Sequence, residues 1–138
     1  MSIAIQYIVG CSYKNILHLN YLIIFLGGGV GSILRYSLGE YTKNWIPSFP
    51  LGTLLCNSLS CVLLGVVVSL CAKGVLSDQQ RLLFGTGICG GFSTYSTFTN
   101  DTYLLFQNEN WILGIGNMTL NFVFSIICLL LGHKLATL

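Results

Sequence analysis

Apolar residues form four long runs along this chain, and short polar segments separate each run from the next. A membrane-spanning α-helix needs about 20 mainly apolar residues, because each residue adds only about 1.5 Å to the length that crosses the hydrocarbon core. Each of the four runs meets this requirement. The pattern predicts membrane-spanning helices over residues 16–38, 51–72, 82–106 and 111–135.

The segments between the runs are short, and the first contains both prolines of the chain, Pro47 and Pro50. Links of this length place consecutive helices side by side in opposite directions. We predict an all-α membrane protein in which residues 16–138 form a single four-helix transmembrane domain. Residues 1–15 have neither the basic start nor the small-residue cleavage site of a signal peptide, so they are predicted to be an N-terminal extension that is interfacial or poorly ordered.

Composition supports a membrane location. Only 7% of the residues are charged, whereas 54% are hydrophobic and the mean hydropathy is +0.77. Soluble domains carry about 25% charged residues, and disordered chains combine low hydrophobicity with high charge, so both classes are excluded. A net charge of +2 leaves no basic face for a nucleic acid. The expected surroundings are a lipid bilayer.

The orientation signal is weak, because basic residues lie at both ends of the predicted bundle. The end that holds the termini carries four of them, and the other end carries two: Lys14, Lys73, Arg81 and Lys134 against Arg35 and Lys43. This small excess favours termini in the cytoplasm. Insertion in both orientations is also compatible with so small a difference.

The third run contains residues that are unusual in a membrane helix. Two adjacent glycines, Gly90 and Gly91, are followed closely by Ser93 and Thr94, which is poor material for a continuous helix. A break there would free backbone carbonyl groups, which are hard oxygen ligands suited to a small cation. We predict such a break, with a continuous glycine-rich packing helix as the alternative. The pairs 27/31 and 87/91 have the small-xxx-small spacing that lets helices approach closely.

Aromatic and amide side chains in the runs are candidates for contact with an ion. Tyr95 and Phe98 are three residues apart, so they share a helix face, and their ring edges carry partial positive charge. Asn117 and Asn121 lie on one face of the fourth run, and Asn57 lies among leucines in the second. Amide groups avoid hydrocarbon, so these residues should face the bundle or a wet path. Packing and hydrogen bonds between helices explain the same pattern.

The charged residues of the runs, and the motifs that the sequence lacks, disfavour some classes of membrane protein. Arg35 lies near the end of the first run, where it either extends to the interface or attracts anions into a vestibule. The sequence places no carboxylate in the middle of a run, and it contains neither an HExxH nor a GxSxG motif. A proton-coupled carrier and a membrane hydrolase are therefore disfavoured. We predict that the protein is not an enzyme.

Three segments in order carry a resemblance to a known family. GGGVGSILRY at residues 27–36 resembles the pattern GGxxGAxxRY, and FPLGTLLCN at residues 49–57 resembles FPxGTLxxN. GICGGFSTYSTF at residues 87–98 resembles GxxGGxTTFSTF. With the four-helix layout, these segments are similar to the Fluc/CrcB family of fluoride channels over about residues 22–132.

The resemblance implies a fluoride-selective channel that passively exports fluoride from the cytoplasm and so reduces its toxicity. Members of this family are dimers of two antiparallel subunits, with two fluoride pores along the subunit interface. The partner here would be a second copy of the chain or a paralogue, and the expected location is the inner membrane of a bacterium. The break in the third run corresponds to a central Na⁺ site, which matching positions assign to the backbone carbonyls of Gly90 and Ser93.

The resemblance also assigns eight residues to the fluoride pore. They comprise two aromatic residues, three amides, two hydroxyl residues and one arginine: Tyr95, Phe98, Asn57, Asn117, Asn121, Ser96, Thr97 and Arg35. Three of the positions at which the chain departs from the family pattern bear on the pore, the Na⁺ site or the helix packing. Tyr95 replaces a phenylalanine, Ser93 replaces a threonine, and Ser60 replaces a glycine, a change that we expect to disturb close packing.

The sequence leaves two alternatives to the channel function. A small multidrug-resistance type transporter is also a four-span dimer, but that class relies on a glutamate inside the first span, and the first run here contains none. A non-conducting partner subunit of a heterodimeric channel is the second alternative. It would be inert alone and active with a paralogue.

Overall fold

Three of the four apolar runs form continuous helices long enough to cross a membrane. A computed structural model describes the backbone of residues 3–138 and the side chains of residues 17–138. The long helices are α1 (Ile3–Thr42), α2 (Leu51–Ala72) and α6 (Trp111–Leu135). Their candidate spans cover Leu17–Thr42, Leu51–Ala72 and Trp111–Leu135. The predicted N-terminal extension, residues 1–15, lies outside the residues whose side chains are described.

The bounds of two of the three long helices agree with the hydropathy pattern. Both α2 and α6 begin and end at the predicted residues, whereas α1 begins at Ile3, before its predicted start at residue 16, and continues four residues beyond its predicted end. Glycine, glutamate and tyrosine follow Leu38 here, and none of them stops a helix by itself. The Thr42 hydroxyl donates to the Leu38 carbonyl oxygen at 2.7 Å in the last turn. The chain then turns through the proline-containing link.

The third run is divided into several helical pieces instead of one continuous span. A single turn, α3 (Asp78–Arg81), leads into a π-helix (Leu82–Cys89), which is followed by α4 (Gly90–Phe92) and α5 (Tyr95–Gln107). The predicted link over residues 73–81 therefore contains a helical turn that the sequence analysis missed. Ser77 begins it with a capping box to Gln80. The predicted break is confirmed, and it lies at Ser93 and Thr94 rather than at the glycines.

Glycine contacts hold α1 against this broken segment. A Cβ atom on Gly27 would lie 2.7 Å from the Leu83 carbonyl oxygen and 3.0 Å from the Gly87 Cα atom. A Cβ atom on Gly31 would overlap the Ile88 carbonyl oxygen. The predicted close approach at the 27/31 and 87/91 glycine pairs is confirmed.

A second glycine contact joins α2 to α6. A Cβ atom on Gly65 would overlap the Leu129 carbonyl oxygen, and one on Gly132 would overlap the Val62 carbonyl oxygen. The sequence analysis did not identify this pair, because the two glycines lie on different helices and have no sequence spacing to compare. Two helix pairs are therefore packed backbone against backbone.

Polarity is distributed as expected for a membrane protein. Among the residues whose side chains are described, the buried polar ones outnumber the buried hydrophobic ones, and they include Asn117 and Asn121. Large apolar side chains such as Phe25 and Ile112 are exposed. An apolar exterior around a polar interior suits a lipid environment. The protein is a multi-pass membrane protein.

Candidate functional site

The helix break sets the geometry of the candidate site. Ser93 has φ −74° and ψ 157°, and Thr94 has φ −153° and ψ 118°, so both residues are extended between α4 and α5. Thr94 caps α5, because its hydroxyl oxygen accepts a hydrogen bond from the Thr97 backbone N–H at 3.2 Å. The same hydroxyl donates to the Thr97 side chain at 3.0 Å.

Asn57 on α2 replaces the helical hydrogen bonds that are lost at the break. Its Oδ1 atom accepts from the Thr94 backbone N–H at 2.8 Å, and its Nδ2 atom donates to the Thr94 carbonyl oxygen at 3.4 Å. In a continuous helix, the Thr94 N–H would bond to the Gly90 carbonyl oxygen. One side-chain amide therefore serves both backbone groups of an extended residue at membrane depth.

Further side chains extend this contact into a chain of hydrogen bonds. Asn57 Nδ2 donates to Asn121 Oδ1 at 3.0 Å, and Asn121 Nδ2 donates to Asn117 Oδ1 at 2.9 Å. Asn117 Nδ2 then donates to the Thr102 hydroxyl oxygen at 2.9 Å. The Thr102 hydroxyl in turn donates to the Phe98 carbonyl oxygen at 2.8 Å. The prediction that these amides face the bundle interior is confirmed. Their hydrogen bonds join α2, α5 and α6.

On the other side of the break, the Cys89 carbonyl oxygen accepts three hydrogen bonds. The Ser93 backbone N–H and hydroxyl each donate to it at 2.9 Å, and the Ser60 hydroxyl donates at 3.0 Å. Ser60 is buried. The expectation that Ser60 disturbs close packing is wrong, because its small hydroxyl fits against the π-helix and bonds its last carbonyl group.

A groove beside the break contains both predicted aromatic residues. It has a volume of about 550 Å³, and we call it the aromatic groove. The ring centroids of Tyr95 and Phe98 are 5.7 Å apart, with the ring planes tilted by 50°. Tyr95 is 81% exposed. The lining combines two amides, three aromatic rings and hydroxyl, thiol and thioether groups: Asn57, Cys61, Ser93, Thr94, Tyr95, Phe98, Met118, Asn121, Phe122 and Ser125.

A second space lies on the other side of Thr94. We call it the arginine cleft; its volume is about 350 Å³, and Arg35, Glu40, Thr53, Thr94 and Thr97 contribute to its lining. The Arg35 Nη1 atom lies 3.5 Å from the Ser93 carbonyl oxygen. Thr94 lines both spaces, so this one extended residue separates the two.

The ten predicted site residues do not all meet in one space. Asn57, Asn121, Tyr95, Phe98 and Ser93 line the aromatic groove, and Arg35 and Thr97 line the arginine cleft. The other three predicted residues line neither of these two spaces within the described part of the chain. They are Gly90, Ser96 and Asn117.

Each of those three residues has a separate setting. Asn117 is fully buried and orients Asn121. Ser96 is exposed, and its hydroxyl lies 3.4 Å from the Thr94 hydroxyl. A Cβ atom on Gly90 would meet no described atom within 4 Å.

Sequence analysis placed Thr94 at the break but did not assign it to the site, although Asn57, Ser96 and Thr97 all contact it. Its position three residues before Thr97, directly ahead of a helix, is a capping signal that could have identified it. Cys61, Met118 and Phe122 were also missed, because apolar residues in a membrane helix carry no signal that distinguishes a groove from lipid.

Backbone oxygens are the candidate cation ligands in this part of the chain. The residues with described side chains include no cluster of three His, Cys, Asp or Glu residues. The Gly90 carbonyl group loses its helical donor at the break, so this oxygen fits a small hard cation. The Ser93 carbonyl oxygen fits less well, because the Arg35 guanidinium lies beside it.

Comparison with known proteins identifies clear relatives. Residues 22–133 match the family model described as CrcB-like protein, Camphor Resistance (CrcB). A protein of Pyrococcus horikoshii named fluoride-specific ion channel FluC is 40% identical over 119 residues, which cover 83% of this chain and 93% of the relative.

Two bacterial relatives carry the same name. One from Clostridium perfringens is 39% identical over 117 residues, covering 83% of this chain and 91% of the relative. One from Shewanella sp. strain ANA-3 is 36% identical over 117 residues, covering 84% and 94%. These matches favour an ion channel over a small multidrug-resistance type transporter.

Proposed function

This chain belongs to the CrcB family, and we propose from that premise that it is a fluoride-specific ion channel. The channel would let fluoride leave the cytoplasm passively and so reduce its toxicity. The observation that carries this proposal in the structure is the aromatic groove, where Tyr95 and Phe98 lie beside the Asn57 amide at the helix break.

The chemistry of the groove suits a small anion that accepts hydrogen bonds. Fluoride is strongly hydrated, so a pathway must replace its water with donors that release it again. Amide N–H and hydroxyl groups supply such donors without a full positive charge. The partial positive charge on aromatic ring edges would stabilise the anion between them.

Asn57 has the donor that an anion could recruit most easily. Its hydrogen bond to the Thr94 carbonyl oxygen is 3.4 Å long, beyond the usual range of about 2.7–3.2 Å. An anion in the groove would therefore compete for this hydrogen against a weak acceptor. Asn121 would hold this amide in place by accepting from its Nδ2 atom, and Asn117 would keep Asn121 oriented.

The arginine cleft offers an approach to the same break. The Arg35 guanidinium carries a fixed positive charge and several donors, which would concentrate anions in the cleft. The Glu40 carboxylate also lines the cleft, but it is paired with Lys43. The Thr97 hydroxyl lines that space, and the exposed Ser96 hydroxyl lies close to Thr94. These hydroxyls would pass the anion along the side of the break.

We further propose that two antiparallel copies, or this chain and a paralogue, form the conducting dimer. The exposure of Tyr95 supports a second chain on this face. Freed carbonyl groups at Gly90 and Ser93 of both chains would hold a structural Na⁺, which would offset the negative ends of their dipoles. For Ser93 this requires the Arg35 guanidinium to move from its position 3.5 Å away.

We place the protein in the inner membrane of a bacterium. The apolar exterior of three continuous spans supports a bilayer location, and the proposed role is export from the cytoplasm. The basic residues at both ends are compatible with insertion in two orientations.

Fluoride efflux from liposomes tests the function directly. Purified protein is reconstituted, and a fluoride electrode follows efflux beside a chloride-loaded control. We expect rapid fluoride loss without chloride loss. Phe98→Ile should slow it strongly, because the ring edge is removed while apolar volume is kept. Phe25→Ile is the matched control, since Phe25 is an exposed residue outside the groove and should leave efflux unchanged.

Two results would count against these assignments. Efflux that survives Phe98→Ile unchanged would remove Phe98 from the pathway. A folded protein that conducts neither alone nor with a co-expressed paralogue would overturn the channel function. Conduction only with the paralogue would identify this chain as the partner subunit of a heterodimer.

A further inference from the structure

We propose that a second groove, between α2 and the π-helix, binds a phospholipid with an anionic headgroup. Its volume is about 440 Å³, and we call it the lipid groove. Leu64, Val67, Val68 and Cys71 of α2 form one wall. Arg81 lies at the end of the facing segment. This site is separate from the proposed ion pathway and does not depend on it.

The walls of the lipid groove fit an acyl chain. Leu64 and Cys71 are seven residues apart, so the wall runs about 10 Å along α2, into the hydrocarbon region. Val68 is 54% exposed within a span that lies in the membrane. Gly85 and Thr86 of the π-helix line the facing side of the groove, and Gly85 adds no side chain to it.

The polar end of the lipid groove fits a phosphate group. Arg81 is the last residue of α3, at the end of the polar link and directly before the π-helix. Its guanidinium pairs with Asp78 at 3.7 Å, but both side chains are mostly exposed. Such an exposed pair contributes little, so a phosphate can replace the carboxylate and accept two parallel N–H donors.

The charge at this end of the protein favours an anionic headgroup. Lys73 lies in the same link as Arg81, and Lys134 lies in the last turn of α6, which ends beside Lys73. Asp78 is the acidic residue of that link. Basic residues at a membrane surface attract anionic lipids, and basic pockets between membrane helices bind their headgroups.

The opposite end provides a natural contrast. Lys43 pairs with Glu40 at 3.3 Å, again three residues apart and exposed. Lys43, however, lines a space of about 360 Å³ that also contains Asp101, with the hydroxyl residue Thr53 donating to that carboxylate at 2.6 Å. An acidic neighbour disfavours a phosphate there. The two basic residues thus differ in surroundings but not in local pairing.

Native mass spectrometry of the full chain, released from detergent with added phosphatidylglycerol or phosphatidylcholine, tests the proposal. Wild-type protein should retain phosphatidylglycerol in preference to phosphatidylcholine. Arg81→Gln should reduce that preference about fivefold, the effect expected for one basic contact at a membrane surface. Lys43→Gln is the matched control and should retain the preference. Val68→Trp keeps Arg81 but fills the groove, so it should also lose bound lipid.

Three results would overturn the proposal. Equal retention of phosphatidylglycerol by wild type and Arg81→Gln would remove the headgroup contact. Retention of phosphatidylglycerol by Val68→Trp would show that the groove does not hold an acyl chain, and competition by inorganic phosphate would then identify a site for phosphate alone. Cross-links between Cys71 residues of two copies in the membrane would assign the groove to a second chain. Circular dichroism of each variant establishes that it is folded, and fluoride efflux is not a readout here.

Discussion

Asn57 connects two parts of the chain that are 37 residues apart, and it does so through both ends of one amide. The assignment of its two ends follows from chemistry: the Thr94 backbone N–H needs an acceptor, so Oδ1 faces it and Nδ2 faces Asn121. Any substitution at this position therefore affects the backbone of another helix, and not only the surface of a groove.

We expect Asn57→Ala to lower the free energy of unfolding by about 1–3 kcal/mol, because it leaves the buried Thr94 N–H without its acceptor. Unfolding in mixed detergent micelles, followed by circular dichroism, measures this loss. The neighbouring Ser58→Ala is the control, since the Ser58 hydroxyl is buried and has no hydrogen-bond partner among the described residues. Equal destabilisation by the two variants would contradict the role of Asn57.

Tyr95 differs from the family pattern by a hydroxyl group on an 81% exposed side chain. We expect Tyr95→Phe to conduct fluoride at least as fast as wild type in the liposome assay, because the ring and its positive edge remain. Protein amount per liposome is matched by quantitative blotting. A loss of roughly tenfold or more, the size expected for a lost hydrogen bond to an ion, would make the hydroxyl an essential donor.

The sequence identified most of these residues but not their partners. Asn57 and Asn121 were predicted to face the interior because amides avoid lipid, and they do. Nothing in the sequence links Asn57 to Thr94, since that bond depends on how α2 and the broken segment pack together. Ser60 shows the opposite case: a departure from the family pattern looked unfavourable, yet its hydroxyl has a bonding partner on the π-helix.

At the scale of the helices, the contact between α1 and the broken segment depends on glycines, which have no side chain to separate the two backbones. A Cβ atom on Gly31 would overlap the Ile88 carbonyl oxygen and lie 2.8 Å from the Phe92 nitrogen. These are backbone atoms of the π-helix and α4, so they cannot rotate away. Gly29 lies half a turn earlier on α1, and a Cβ atom there would meet no described atom within 4 Å.

We expect Gly31→Ala to destabilise the protein by about 1–3 kcal/mol, because the added methyl group forces α1 away from its neighbour. Gly29→Ala should instead be neutral or stabilise by up to about 1 kcal/mol, since alanine favours the helix over glycine. Thermal unfolding in the same detergent compares the two. A destabilising Gly29→Ala with a neutral Gly31→Ala would contradict the described packing.

Hydropathy predicted where the long apolar helices lie better than it predicted which type of helix forms. The bounds of α2 and α6 follow directly from the ends of apolar runs, and the break follows from glycine and hydroxyl content. The π-helix over Leu82–Cys89 was not predicted, because π and α geometry differ by one residue per hydrogen bond and share the same composition. The turn Asp78–Arg81 was missed because its residues are polar.

Considered as a whole, one copy of the chain presents the aromatic groove and the open face of Gly90 outward. A single chain would therefore expose its polar break, which a bilayer disfavours. The proposed second chain would cover this face. Both Gly90 and Gly29 could take a side chain within one copy, which makes them a useful pair for detecting a partner.

We expect Gly90→Val to disrupt the dimer, because the new side chain would occupy space that the proposed partner needs. Gly29→Val introduces the same β-branched residue in a helix, away from the break, and should leave the dimer intact. Single-molecule photobleaching of labelled protein in liposomes counts the subunits. Dimers that persist in Gly90→Val, or that are lost equally in Gly29→Val, would place the interface elsewhere.

The bond between Asn57 and the Thr94 backbone also has a consequence for biosynthesis. The pieces of the third run are too short to cross the membrane as one continuous helix, and their extended residues would leave backbone groups unsatisfied in lipid. Asn57 leaves the ribosome 37 residues before Thr94, so α2 can already be inserted when the broken segment emerges. The earlier helix then offers a hydrogen-bonding partner to the later segment, and entry of that segment into the bilayer becomes coupled to its assembly.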